Sequence, residues 1–170
     1  IETGQEIRSF DLADLLSVIT SVGFSPDGMT AVSGTFSGNV QYWDMQTGEL
    51  IRELHHSEEP IITAIFSPDG RYILSTSVSG TGILWDKESG QEVQRFDGSG
   101  PMVRSDFNHG GTQLITPIAN GDLIVWDVET GREIRHLIGH MGGGVSVAYL
   151  PDDRYSISAG GDQILILWAL

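Results

Sequence analysis

Tryptophan recurs at a nearly constant interval along the chain. The four tryptophans are Trp43, Trp85, Trp126 and Trp168, which are 42, 41 and 42 residues apart. An aromatic residue and the glycine of a Thr-Gly or Ser-Gly pair recur in the same step. These markers are Phe24, Phe66, Phe107 and Tyr149, and Gly4, Gly48, Gly90 and Gly131. Three markers with a common period indicate four copies of one structural unit.

Each period is predicted to contain four short β-strands. In the second period, the segments 61–66, 72–77, 83–86 and 93–96 are rich in β-branched and aromatic residues, with Gly, Ser, Pro and Asp between them. Such runs, separated by turn residues, are typical of strands. No segment of helical length repeats its apolar residues with helical spacing. The chain is therefore predicted to be all-β.

Three of the tryptophans precede aspartate, as Trp43-Asp44, Trp85-Asp86 and Trp126-Asp127, whereas the fourth is followed by alanine. The sequence Phe-Ser-Pro-Asp-Gly stands at 24–28 and at 66–70, and a Gly-His pair at 139–140. Together these motifs resemble the WD-repeat (WD40) family over essentially the whole chain. The resemblance implies a β-propeller, in which four-stranded antiparallel sheets, called blades, surround a central channel.

The resemblance also implies how the chain is organised. It predicts one propeller unit over residues 1–170 with four blades, from repeats 1–44, 45–86, 87–127 and 128–170. The last strand of each repeat lies outermost in the family, so residues 6–10 are expected to form such a strand, and the fourth repeat lacks one. Because four blades would form a very tight ring, we expect a head-to-tail homodimer with eight blades, each segment 6–10 docking beside residues 164–168 of the other copy. The alternative is that these residues were cut from a longer propeller.

His140, Ser158 and Asp162 are the residue types of a hydrolytic triad. The resemblance instead implies that they form, with Trp168, the buried structural tetrad of the family, which has no open position for a substrate. The other repeats lack the aspartate, so only the last is expected to form the full tetrad. His55-His56 is interpreted as a loop element. Pro117 is expected to cause a bulge or an early strand end in the third repeat.

Composition excludes several classes of function. The net charge is −14 and the basic residues are scattered, so a nucleic acid partner is not expected. The apolar runs are too short for a membrane helix, and the first residues have no signal-peptide pattern. Cysteine is absent and the histidines have no metal-site spacing, so neither a metal nor a cofactor is predicted. These features fit a cytoplasmic protein.

The loops that precede the first strand of each repeat are the predicted partner-binding surface. Their acidic residues should attract a basic peptide or tail, although acidic loops also serve solubility alone. The residues predicted to form this rim are Asp11, Asp14, Glu58, Glu59, Asp97 and Met141. Met102 is one of several apolar residues near these loops, some of which must pack into the blades instead.

The resemblance favours a non-catalytic scaffold or sensor domain that presents propeller-face loops to a protein or peptide. One alternative is a propeller hydrolase with its site in the central channel. Such an enzyme needs several converging carboxylates, arginines or a metal. Another alternative is a half-propeller that only assembles, as an engineered or evolutionary model. The visible divergence of the four repeats favours a natural origin.

Overall fold

The chain folds into four consecutive antiparallel sheets in the computed structural model, which describes residues 4–10 and 17–170. Blade 1 contains β1 (Ile19–Phe24), β2 (Thr30–Thr35), β3 (Asn39–Asp44) and β4 (Leu50–His55). Blade 2 contains β5 (Ile61–Phe66), β6 (Tyr72–Ser77), β7 (Thr81–Asp86) and β8 (Glu92–Asp97). Blade 3 contains β9 (Asp106–Phe107), β10 (Gln113–Pro117), β11 (Leu123–Asp127) and β12 (Glu133–Leu137). Blade 4 contains β13 (Gly144–Tyr149), β14 (Tyr155–Gly160) and β15 (Leu165–Ala169). This arrangement confirms the predicted all-β propeller fold.

Strands in each blade follow chain order from the channel outward. The first strands of the four blades supply the side chains that line a common groove, and strand pairing then runs outward from first to last within each blade. Consecutive strands are joined by tight turns in which glycine often has a positive φ. Gly38 has φ 82°, and a side chain there would collide with the carbonyl of Ser57, so only glycine fits this turn.

Apolar side chains fill the spaces between neighbouring blades. Between blades 1 and 2, Val32, Val40 and Tyr42 pack against Ile61 and Phe66. Equivalent residues form a second cluster between blades 2 and 3 and a third between blades 3 and 4. The core is therefore a series of blade-to-blade contacts, and each blade is stabilised mainly by its neighbours.

Blade 3 departs from the others at its inner edge. Strand β10 ends at Pro117, which agrees with the early strand end predicted there. Strand β9 has only two residues, whereas the inner strands of the other blades have six. Proline has no N–H group to continue the ladder, so the pairing of β9 with β10 stops at Ile115, two residues before it.

The turn after β9 also differs from its equivalents. In blades 1 and 2, the hydroxyls of Ser25 and Ser67 accept hydrogen bonds from backbone N–H groups five residues later, both at 3.0 Å. In blade 3, the side-chain oxygen of Asn108 accepts from the N–H groups of Thr112 and Gln113 at 2.8 and 2.9 Å. A different side chain thus closes the same turn.

The predicted outer strand at residues 6–10 is not formed. Residues 4–10 lie beside blade 1 without strand structure, and within the described part of the chain the outer edge of β15 pairs with no strand. A strand requires a hydrogen-bonded neighbour, and the segment and the edge lie on opposite end blades of the row. Among the described residues, no helix is long and apolar enough to span a membrane.

Candidate functional site

Blade 4 brings together the four residues of the predicted tetrad. Nδ1 of His140 lies 3.0 Å from Oδ1 of Asp162, and Nε2 of His140 lies 2.8 Å from Oγ of Ser158. The indole N–H of Trp168 donates to the same Oγ at 2.8 Å. The loop before β13, strand β14, the turn after it and β15 each supply one member. The network therefore links the loop before β13 to strands β14 and β15 of blade 4.

Geometry makes this network unsuitable for nucleophilic catalysis. Ser158 is 2% exposed and His140 is 5% exposed. Oγ of Ser158 is already bonded to His140 and to Trp168, so a substrate carbonyl has no approach to it. His140 and Ser158 are therefore buried and hydrogen-bonded to each other within blade 4.

Trp168 is less enclosed than a buried tetrad implies. Its ring is only partly buried, whereas Trp43, Trp85 and Trp126 are 6%, 7% and 4% exposed. Trp168 packs on the same core cluster as Leu137 of the preceding outer strand, but its own blade has no fourth strand among the described residues. The sequence-based expectation of a fully buried Trp168 is therefore wrong for the single chain.

One tryptophan hydrogen bond is common to all four blades. The indole N–H groups donate to hydroxyls on the second strand of their own blade at distances of 2.7–2.9 Å. The acceptors are Ser33, Ser75, Thr116 and Ser158. A hydroxyl ten residues before each tryptophan thus accepts a hydrogen bond from the indole N–H in every repeat.

Blade 2 contains a second histidine network that sequence analysis missed. Nδ1 of His56 lies 2.7 Å from Oγ of Ser75, and Nε2 lies 2.9 Å from Oγ1 of Thr81. His56 lies in the loop after β4, as the sequence indicates, but its side chain is buried. Thr81 replaces the aspartate of the family pattern, two positions further along the chain. His56 precedes Trp85 by 29 residues, whereas His140 precedes Trp168 by 28. This offset of one residue hid the equivalence of the two histidines.

Acid sensitivity is the expected consequence of burying His56. Burial, with a smaller effect of the Arg95 charge, lowers the pKa of His56 from 6.5 to about 4. Between these values the unfolded chain binds a proton that the folded chain does not. The stabilisation is therefore complete above pH 6.5 and is lost as the pH falls toward 4. We expect the free energy of unfolding to fall by about 2 kcal/mol more in wild type than in His56→Gln over this range.

Urea titrations at several pH values measure this difference. His109→Gln, at an exposed position, is the matched control and should keep the wild-type pH dependence. Equal pH dependence in wild type and His56→Gln would contradict the assignment.

Two serines on β14 should respond in opposite ways to removal of the hydroxyl. Ser156 is buried and its Oγ has no hydrogen-bond partner within the described residues. Ser156→Ala should therefore raise the free energy of unfolding by about 1 kcal/mol. Ser158→Ala leaves His140 and Trp168 without their shared partner and should lower it by about 1–3 kcal/mol. Chemical denaturation measures both, and a destabilised Ser156→Ala variant would refute the first assignment.

Backbone contacts fix the predicted binding loops to neighbouring turns. The N–H of His56 donates to the carbonyl of Gly38 at 3.0 Å, and that of Gly98 donates to the carbonyl of Gly80 at 2.9 Å. Gly121 lies close to the backbone of His140 at the equivalent position, and the N–H of Gly161 donates to the carbonyl of Gly143 at 2.9 Å. The loops at 55–60, 97–101 and 140–144 and the turns between second and third strands thus form one surface, which we call the loop face.

Predicted rim residues are exposed on the loop face where the structure describes them. Glu58, Glu59 and Asp97 are exposed, and Met141 is 95% exposed. Asp11 and Asp14 lie outside the described residues. Met102 is completely buried in the core between blades 2 and 3, so it packs into the blades and is not part of the rim.

The central groove is lined by both polar and apolar side chains and contains few charges. It has a volume of about 650 Å³, and Arg104 and Asp106 are the only charged side chains among the described residues that line it. Asp106 accepts a hydrogen bond from the N–H of Tyr149 at 2.9 Å, and burial raises the pKa of its carboxyl group. A glycosidase requires two suitably placed carboxyl groups, and this groove has one. No group of three or more potential metal ligands occurs within the described ranges.

The sequence profile of the WD40 family, described as "WD domain, G-beta repeat", matches residues 6–44, 48–86 and 131–169. The chain belongs to the WD40 family. The profile does not match the third repeat, where Pro117 and the Asn108 turn depart from the pattern, although that repeat still forms a blade. WD40 propellers generally mediate protein–protein interactions and are typically non-catalytic.

Solved structures also contain similar WD40-like chains. The crystal structure of the computationally designed Ika4 protein matches with a TM-score of 0.85 and 26% sequence identity, covering 98% of this chain and 99% of that chain. No curated protein sequence matches. Because 1606 chains of solved structures resemble this one, the fold alone does not identify a function.

Proposed function

We propose that this WD40 chain, taken as one propeller unit over residues 1–170, is a non-catalytic scaffold that binds a protein or peptide on its loop face. The observation that carries the proposal is the fixed arrangement of this face. Its loops are hydrogen-bonded to the adjoining turns, and they expose Glu58, Glu59, Asp97 and Met141. A preformed surface binds without the entropic cost of ordering its loops.

The partner chemistry that fits this surface is a basic peptide or tail. Three exposed carboxylates on a chain of net charge −14 create a negative potential at the loop face. Met141 adds an adaptable apolar contact beside them. Cytoplasmic localisation stays a prediction from the sequence.

Binding of a labelled lysine- and arginine-rich peptide, followed by fluorescence anisotropy, tests the loop face. The test variant carries Glu58→Ser, Glu59→Ser and Asp97→Ser. The matched control carries Glu49→Ser, Glu88→Ser and Glu129→Ser, which remove the same charge from exposed positions at the opposite ends of the blades. We expect affinity to fall about ten-fold or more in the test variant alone. Equal losses of affinity in both variants would show that only the net charge of the chain matters, which would contradict the proposal.

We also propose that the working form is a homodimer with eight blades, in which two chains join head to tail. The support is the incomplete blade 4, whose outer strand position is empty among the described residues, together with a segment at 4–10 that lies beside blade 1 without a strand partner. Exposed strand edges favour pairing with another chain. Two copies would complete both ends in a symmetric particle.

A further inference from the structure

Methionine supplies all the sulfur of this chain, which has four methionines and no cysteine. A direct reaction of a protein sulfur atom with an oxidant therefore falls on a methionine side chain. The four side chains differ widely in exposure. Met141 is 95% exposed and Met29 is 66% exposed, whereas Met45 is half-buried and Met102 is completely buried. Because an oxidant must reach the sulfur atom, we expect Met141 to react first and Met102 to be protected.

Met141 has a fixed place on the loop face. Its backbone N–H donates to Oδ2 of Asp162 at 3.0 Å. The same carboxylate bonds to Nδ1 of the buried His140. The backbone that follows is also held, because the N–H of Gly161 donates to the carbonyl of Gly143 at 2.9 Å. The Met141 side chain therefore projects into solvent from a loop whose backbone is bonded to blade 4.

Met102, by contrast, is part of the core. It belongs with Phe96 and Leu114 to the apolar cluster between blades 2 and 3, and its methyl group lies close to Gly98. A sulfoxide at Met102 would place a polar oxygen in that core, which costs free energy of folding. Met141 has no such packing role, so oxidation of its sulfur leaves the core unchanged. A flexible apolar side chain on the surface is instead suited to contact with a partner.

Oxidation of Met141 is a transfer of one oxygen atom. With hydrogen peroxide as the oxidant, the sulfur attacks one oxygen, the O–O bond breaks, and that oxygen stays on the sulfur as a sulfoxide. The other oxygen leaves with both hydrogens as water. The sulfur is oxidised by two electrons and the peroxide is reduced by two. The product is a polar side chain in place of an apolar one, with no change in charge.

We propose that Met141 is an oxidation site that regulates partner binding on the loop face. The regulation rests on the proposed function, in which Met141 gives an apolar contact on the face that exposes Glu58, Glu59 and Asp97. A partner places an apolar side chain against Met141 in this arrangement. The sulfoxide oxygen loses its bonds to water when such a side chain covers it, and this loss opposes binding. Oxidation thus weakens the complex without altering the carboxylates or the fold.

Limited treatment with hydrogen peroxide, followed by digestion and mass spectrometry, tests the site of modification. The sulfoxide should form fastest at Met141 and more slowly at Met29. At Met102 it should form only after the chain has been unfolded in urea. A faster reaction of the folded chain at Met29 or at Met102 than at Met141 would overturn the assignment.

Binding of a labelled lysine- and arginine-rich peptide that carries one leucine, measured before and after the same treatment, tests the regulation. Affinity should fall about five-fold, which corresponds to losing part of the burial of one apolar side chain. The two stereospecific methionine sulfoxide reductases, added together, should restore it. Met141→Leu removes the sulfur with little change in volume, so its affinity should be the same before and after treatment. Met29→Leu, in the turn between β1 and β2, is the matched control and should lose affinity as the wild type does.

The possible outcomes distinguish the regulation from the function on which it rests. Unchanged or stronger binding after oxidation at Met141 would overturn the regulation and leave peptide binding on the loop face intact. An equal loss of affinity in treated Met141→Leu would also overturn it, because another residue would then cause the effect. If the untreated chain did not bind the peptide, the proposed function and its regulation would both be wrong.

Discussion

Leu167→Asp is expected to convert the two-chain particle into single folded chains. In the proposed ring, Leu167 becomes as enclosed as its equivalents Leu84 and Val125, which are 3% and 1% exposed. A carboxylate buried there without a partner costs several kcal/mol at each of the two contacts between the copies. Sedimentation velocity measures the change in mass, and circular dichroism shows whether the blades remain folded.

Ile134→Asp is the matched control for this substitution. Ile134 is an apolar residue on the outer strand β12, is 46% exposed, and lies away from both free ends. The control should keep the mass of the wild type. If Leu167→Asp also kept the two-chain mass, the exposed face of β15 would not lie in the contact between the two copies.

Phe96→Ala is expected to cause the largest loss of folding stability. Phe96 is completely buried between blades 2 and 3, where its ring meets Trp126 edge-on. Removing a buried phenylalanine costs about 3–5 kcal/mol, from lost burial and from the cavity that remains. The midpoint of chemical denaturation measures the loss, and a change below about 1 kcal/mol would show that the blade interface tolerates the cavity.

Phe10→Ala is the equivalent substitution in the segment beside blade 1, because Phe10 meets Trp43 edge-on at 5.9 Å as Phe96 meets Trp126 at 5.8 Å. Phe10 is only partly buried, and no strand fixes its segment. Its effect on folding of the single chain should therefore be smaller than that of Phe96→Ala. Its main effect should be weaker association, which appears as a lower two-chain fraction on dilution.

Sequence alone predicted the repeating part of the fold because one period carries several markers. The tryptophan, the aromatic residue nineteen positions before it and the turn glycine each recur, and they indicate the number of blades. The His140 network was also predictable, since its four residue types stand at family spacing. The early end of β10 was predictable from Pro117, because proline cannot donate a hydrogen bond to the ladder.

Other features depend on three-dimensional context that spacing does not encode. His56 can be buried because the hydroxyls of Ser75 and Thr81 bond to its two ring nitrogens. Thr81 stands two positions after the place of the aspartate in the family pattern. Met102 lies near a loop in sequence, but it fills the space above Gly82 and Gly98. The segment 6–10 has strand-like residues, yet strand structure requires a partner edge, and the available edge lies on the last blade.

The proposed homodimer joins the open edge of blade 4 in one copy to the segment beside blade 1 in the other. Multi-angle light scattering of the unmodified chain at micromolar concentration, with no partner added, measures whether two copies associate in this way. The expected mass is twice the 18.4 kDa of one chain. A particle with the mass of a single chain would rule out the homodimer.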